Sequence, residues 1–124
     1  MARSILVVDD DADVRSLIVR ILRSRGLMVV AEAGSVAEAL ARADALRPDT
    51  ALVDVGLPDG DGFSLTRQLC TRPWAIRVVI FSSDADRTNA AAAERAGAVG
   101  FLPKDELSSP ALQRLIGGED DGDV

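Results

Sequence analysis

Asp9, Asp10, Asp54, Ser82 and Lys104 each stand where a short apolar run stops. The runs are Ile5-Leu6-Val7-Val8, Ala51-Leu52-Val53, Val78-Val79-Ile80-Phe81 and Val99-Gly100-Phe101-Leu102. Read as strands buried on both faces, such runs set their polar last residues at the carboxyl edge of a parallel sheet, where open α/β folds keep their ligands. That edge gathers three carboxylates, a hydroxyl and an ammonium. Two carboxylates 4 Å apart repel by about 4 kcal/mol at an effective dielectric near 20, so something must neutralise them. A proton does so by raising one pKa. A hard divalent cation does so better, and an all-oxygen ligand set with few protein groups suits Mg2+. With the Lys104 ammonium and the Ser82 hydroxyl added, the edge becomes a cradle for a phosphoryl group, and a carboxylate inside it is a competent nucleophile through an aspartyl-phosphate.

The elements that must hold these residues follow from a pattern that switches between short apolar runs and helical periodicity, the mark of successive βα units. After the first strand, Val14, Leu17, Ile18, Ile21 and Leu22 fall on one helical face, and Gly26 behind the basic Arg23–Arg25 end marks a stop. Met28 to Ala31 reads as a second strand. Ser35-Val36-Ala37-Glu38 reads as a capping box opening a helix with Val36, Ala39, Leu40, Ala43 and Leu46 inward, ended by Pro48. Thr50 to Asp54 is a third strand, and Gly56 to Gly62 is so rich in Gly and Pro that it reads as a loop. A short helix from Phe63 to Leu69, a fourth strand from Arg77 to Phe81 and an Ala-rich helix around Asn89 to Ala96 follow. A fifth strand from Val99 to Leu102 and a last helix from Leu107 to Ile116, with Pro110 in its first turn, complete the set.

Five such units with right-handed crossovers predict a doubly wound five-stranded parallel sheet of flavodoxin-like order 2-1-3-4-5. Strands 1 and 3 are then neighbours, so Asp9, Asp10 and Asp54 share a crevice flanked by Ser82 and Lys104. One domain over residues 1–116 is expected, with residues 117–124 a disordered acidic tail.

Composition removes other chemistries. The chain is 48% hydrophobic with only three Phe and one Trp among its 124 residues, so its core must be aliphatic. A net charge of −6 argues against a dedicated nucleic-acid binder. Cys70 stands alone, which rules out an intramolecular disulfide, and the absence of histidine removes His bases and the commonest zinc ligand. With neither a signal-type segment nor an apolar stretch of membrane-spanning length, a soluble cytoplasmic protein is expected.

Taken in order and at these spacings, the motifs resemble the receiver domain of two-component response regulators, over essentially the whole chain to about Ile116. The resemblance rests on Asp9-Asp10, Asp54, Pro58 and Gly62 in the loop behind it, Ser82-Ser83, and Phe101-Leu102-Pro103-Lys104. It implies that Asp54 accepts a phosphoryl group from the phosphohistidine of a sensor kinase or phosphotransfer protein. It also implies that Asp9, Asp10, Asp54 and the backbone carbonyl of Gly56 hold Mg2+. Ser82 swings to a phosphoryl oxygen, Phe101 turns inward behind it as the switch aromatic, and Lys104 pairs with the phosphate. The added charge of about −1.5 to −2 is converted into a changed surface on the fourth helix, fifth strand and fifth helix, where an effector or a second copy binds. The kinase contact is expected on the Val14 to Leu22 helix. Such a module is not an enzyme in the ordinary sense; its chemistry is its own phosphorylation and slow dephosphorylation.

Several positions depart from the family pattern. Asp105 stands where most receivers carry proline, Ser82 where threonine is commoner, and Phe101 where tyrosine is frequent. Gly56 leaves the second position after the acceptor bare, which implies easier water access and a shorter phosphoryl lifetime.

Two other classes stay open at this stage. Val7-Val8-Asp9-Asp10-Asp11 also resembles the first motif of haloacid-dehalogenase phosphohydrolases, with Asp9 as nucleophile and Asp11 as acid, but that reading needs Asp120-Asp121 as its last motif and leaves Asp54 idle. The other is a receiver that works as an adaptor without phosphate. Leu46 to Pro58 and Gly100 to Leu107 resemble receivers joined to helix-turn-helix output domains, yet the chain itself has no basic recognition helix and so no expected nucleic-acid contact. Asp11 reads as a helix cap, Asp59 and Asp61 as turn residues, and Cys70 and Trp74 as packing.

Overall fold

The computed structural model describes residues 4–74, 76–83, 87–106 and 110–117. Its main sheet contains β1 (Ser4–Val8), β2 (Met28–Ala33), β3 (Thr50–Asp54), β6 (Arg77–Ser82) and β7 (Gly100–Pro103), in the order β2-β1-β3-β6-β7 and all parallel. This is the doubly wound order expected, with β6 and β7 as the fourth and fifth strands. Helices α1 (Ala12–Ser24), α2 (Val36–Leu46), α3 (Gly62–Cys70), α4 (Arg87–Ala96) and α5 (Pro110–Gly117) join them.

Alternation along buried strands divides the core in two. Ile5, Val7, Leu52, Val79, Phe81 and Leu102 pack with Ile18, Val19 and Leu22 of α1 and Leu112 of α5. Leu6, Val8, Ala51, Val53, Val78 and Ile80 pack on the opposite face with Ala39 and Ala43 of α2, Leu65 and Leu69 of α3 and Ala93 of α4. Because both faces are covered, β1 and β3 contain almost no exposed position, which is why they read as unbroken apolar runs.

The ladder register aligns the strand ends. Val8 pairs with Val53, so Asp9 and Asp54 occupy the next rung side by side; Asp54 pairs with Phe81, and Ser82 with Pro103, immediately before Lys104. Edge strand β2 skips Val30 where the pairing shifts from Ile5–Val29 to Leu6–Ala31, a bulge, and it runs on to Ala33, beyond its expected end.

Several expectations are corrected. The stretch read as a loop contains a two-rung antiparallel hairpin, β4 (Gly56–Leu57) with β5 (Gly60–Asp61), because Pro58-Asp59 makes a turn tight enough to pair its flanks. Leu17 and Leu46 are not inward: they are 51% and 49% exposed. The inward face of α1 is centred on Ile18, Val19 and Leu22, and Leu17 lies past its edge at 100° per residue. Cys70, read as packing, is exposed, its Sγ set 3.6 Å from the Gly97 carbonyl, whereas Trp74 does pack against the core, half-buried with the Arg47 guanidinium 5.0 Å from its ring centre. The start of the last helix at Leu107 and the tail from residue 118 lie outside the described residues. Among the described residues no helix is long and apolar enough to cross a membrane.

Gly62 opens α3 against the acceptor strand. A Cβ there would lie 2.3 Å from the Asp54 carbonyl oxygen, whereas one on Gly56 would meet nothing within 4 Å. The clash is with backbone, which cannot rotate away, so Gly62→Ala is expected to lower unfolding stability by about 1–3 kcal/mol, and Gly56→Ala to stay within about 0.5 kcal/mol of the parent. Urea unfolding of the two variants checks this; equal losses would refute it.

Candidate functional site

Asp9 follows β1 with no exposed surface, and its position is fixed from several sides. Its amide donates to the Ala33 carbonyl at 3.0 Å, its Oδ1 accepts from the Asp11 amide at 2.8 Å, and its carbonyl accepts from Arg15 Nη1 at 2.6 Å. Asp11 is the cap expected, its carboxylate accepting from the Asp13 and Val14 amides at 2.9 and 3.2 Å. Asp10, between them, is exposed, while Asp54 at the end of β3 is only 7% exposed. One carboxylate oxygen from each of Asp9, Asp10 and Asp54 can be chosen so that all lie within 4.8 Å of one another.

Lys104 faces this group from the end of β7. Its Nζ sits 3.3 Å from Asp9 Oδ2 and 3.4 Å from Asp54 Oδ2, and 5.4 Å from the centre of the Phe81 ring. Burial pushes the Lys104 ammonium pKa down, but Asp54 and Asp9 outweigh it and the net shift is upward, so the lysine stays charged. Burial, then the neighbouring Asp9, pushes the Asp54 pKa up, against the opposing pull of Lys104 and the Gly56 backbone amide.

Asp9 Oδ2 is buried and has no hydrogen-bond donor, only the ion pair with Lys104. A buried anionic oxygen aimed into an all-carboxylate cluster fits a hard divalent cation. Three carboxylates against one ammonium are also matched in charge by such an ion. An all-oxygen ligand set of this kind suits Mg2+.

Ser82 ends β6 buried, at 5% exposed, and Phe101 is half-buried in β7, packed against the core beneath α4. The ladder thus brings Asp9, Asp54, Ser82 and Lys104 to one edge, with Asp10 beside them and Gly56 just beyond Asp54. Lys104 enters a short 3-10 turn, Lys104–Glu106, and Asp105 is exposed. Three contributors go beyond the sequence reading. Arg15, which also pairs with Glu32 at 3.1 Å, grips Asp9 through its main chain. Asp59 and Asp61 are more than turn residues: Asp59 accepts from the Val36 and Ala37 amides at 2.7 and 3.0 Å, and Asp61 caps α3 through the Ser64 amide at 2.8 Å.

Comparison with known proteins agrees with the geometry. The family model of the response regulator receiver domain matches residues 5–116. The DNA-binding transcriptional activator DevR/DosR of Mycobacterium tuberculosis is 45% identical over 113 residues, covering 90% of this chain and 52% of its own length. The chemotaxis protein CheY of Bacillus subtilis is 33% identical, covering 93% of this chain and 96% of its own. A response regulator from Burkholderia pseudomallei, solved with a phosphorylated aspartic acid, calcium ion and citrate, superposes with a TM-score of 0.80 at 31% identity, over 91% of this chain and 66% of that one. The chain spans about half the length, or less, of the first curated relatives it matches.

The raised Asp54 pKa has a consequence for stability. Above the ordinary value of 3.8 the unfolded chain ionises this carboxyl before the folded one does, so its ionisation costs stability as pH rises through that window. Without divalent cation, Asp54→Asn is expected to melt higher than the parent at pH 7 and to lose that advantage as pH falls to about 3.8. Thermal unfolding across pH checks this; an advantage of equal size at both ends would refute it.

Proposed function

This chain belongs to the response regulator receiver domains, and from that premise we propose that Asp54 is its phosphoacceptor, served by Asp9, Asp10, Ser82, Lys104 and the Gly56 carbonyl. Receivers are phosphoacceptor signalling modules of two-component systems and partner with histidine kinases and effectors. The observation that carries the assignment to Asp54 is its position, at the end of the central strand, buried, beside a lysine and a second buried carboxylate.

An oxygen of the Asp54 carboxylate attacks the phosphorus of a phosphohistidine. The P–O bond forms as the P–N bond breaks, and the imidazole nitrogen recovers the electron pair and takes a proton. Asp9, Asp10 and Asp54, with the Gly56 carbonyl, are the residues that would hold Mg2+, which supplies charge neutralisation for the phosphoryl oxygens. Lys104, already paired with the Asp54 oxygen, is placed to follow the charge onto the phosphoryl group. Ser82, one rung beyond Asp54, offers a hydroxyl, and its approach opens room for Phe101 to turn inward. The α4–β7–α5 surface then changes for an effector or a second copy. The Leu17 side of α1 is the surface offered to the kinase, an exposed leucine that the core leaves unused. The cytoplasm is the compartment in which such a kinase would be met, and residues 1–116 form the receiver unit.

Intact-mass measurement after incubation with a small phosphoryl donor and Mg2+ tests the acceptor. One phosphoryl group is expected on the parent chain and none on Asp54→Ala. A gain that survives Asp54→Ala but not Asp9→Ala would overturn the assignment in favour of a hydrolase-type nucleophile, and no gain with any donor would favour an adaptor that works without phosphate.

The open space at Gly56 bears on lifetime. Nothing lies within 4 Å of a Cβ placed there, and we infer that this open side admits water to the acceptor more easily than a bulky residue would. Gly56→Met is expected to lengthen the phosphoryl half-life severalfold, read by the decay of phosphorylated mass; an unchanged half-life would refute the water-access account.

A further inference from the structure

The two loops that would carry the cation's ligands are both tied to one corner of the fold, residues 32–38. On one side, Arg15 donates to the Asp9 carbonyl at 2.6 Å while its Nε pairs with Glu32 at 3.1 Å. A Cβ on Gly34 would lie 3.3 Å from Arg15 Nη1 and 3.9 Å from the Asp9 carbonyl oxygen, so the corner lies directly against this grip. On the other side, the two oxygens of Asp59 take the first two amides of α2, from Val36 and Ala37, and a Cβ on Gly60 would approach Val36 Cγ2 to 3.1 Å. The corner is itself braced, with Ser35 Oγ accepting from the Glu38 amide at 3.1 Å and Glu38 Oε1 accepting from the Gly34 amide at 2.7 Å. The Val36, Ala37 and Glu38 amides at the start of α2 thereby all have acceptors, and two of those three acceptor oxygens come from the hairpin that follows Asp54.

We propose that Asp59 is a positioning residue for the acidic pocket: seated on the first amides of α2, it fixes the Gly56 hairpin to the same corner that holds Asp9 through Arg15. The two ligand-bearing loops then keep their spacing before any cation arrives. A single two-rung hairpin is too small to hold its own shape, so its orientation comes from what it is attached to. Asp61 fixes its far end to α3 and Asp59 fixes its tip to α2. The inference rests on Asp9, Asp10, Asp54 and Gly56 being the Mg2+ set.

Calorimetric titration of Mg2+ into the unphosphorylated full chain, with a melting curve for each variant, tests it. Asp59→Ala is expected to weaken Mg2+ binding about tenfold, the low end of the loss seen when a residue supporting a metal ligand is removed. Asp59→Asn, which keeps one acceptor oxygen, should recover part of that loss. Asp44→Ala removes the α2 partner of Arg72, a 2.9 Å ion pair away from the hairpin, and should leave the affinity unchanged. A lower melting temperature with parental Mg2+ affinity in Asp59→Ala would overturn the proposal and reduce Asp59 to an ordinary helix cap. Should Asp59→Ala not fold, the same comparison with Asp59→Asn decides it. Absence of Mg2+ binding by the parent chain is a different failure, that of the ligand set itself.

Discussion

Asp9 and Asp54 are held out of water within reach of a single ammonium, and most of what surrounds them serves to keep that arrangement from relaxing. Free side chains would separate or protonate, since their repulsion is of the order of several kcal/mol once water is removed. They cannot separate, because the Val8–Val53 rung fixes the strands beneath them and Arg15, Ala33 and Asp11 fix Asp9 from three directions. The site therefore stays short of positive charge, and a divalent cation and a phosphoryl group arriving together bring opposite charges into a frame already built.

The parallel sheet makes this possible by its two-sided burial. Ile5 and Val7 belong to the core on the α1 and α5 side of the sheet and Leu6 and Val8 to the core on the opposite side, so the strand that ends at Asp9 is gripped on both faces. Phe81 belongs to the same core and lies under Lys104, so the lysine stem is supported by the element that also ends in Ser82. The ammonium, the hydroxyl and the Asp54 carboxylate are thus attached at neighbouring rungs of one ladder, while the hairpin and the turn after Lys104 sit beyond its edge.

What was legible in the sequence follows from this division. Strands covered on both faces read as continuous apolar runs, so their ends, and with them Asp9, Asp54, Ser82 and Lys104, could be placed from the residues alone. The strand order followed from chain connectivity. Helix faces were less legible: Leu17 and Leu46 fit the periodic pattern but lie past the rim of the buried stripe, and only the tilt of each helix on the sheet decides that. The hairpin was hidden because Gly and Pro signal a turn without saying what its flanks do. Arg15 and Asp59 were invisible for a different reason. Their partners, a backbone carbonyl six residues away and two amides 23 and 22 residues away, have no side-chain signature at all.

Gly56 and Gly62 show how one short segment divides fixed from adjustable functions. At Gly62 the α3 backbone approaches the Asp54 carbonyl so closely that no side chain fits, and the Gly62 amide donates to the Val55 carbonyl at 2.7 Å, so the glycine is demanded by the acceptor strand itself. At Gly56 the space is open, and a Cβ there would meet nothing within 4 Å. The first position is dictated by the backbone of the strand that ends in Asp54, whereas the second lies clear of that packing. Position 56 can therefore accept a Cβ without a clash on the strand, while position 62 cannot, although only a few residues separate them.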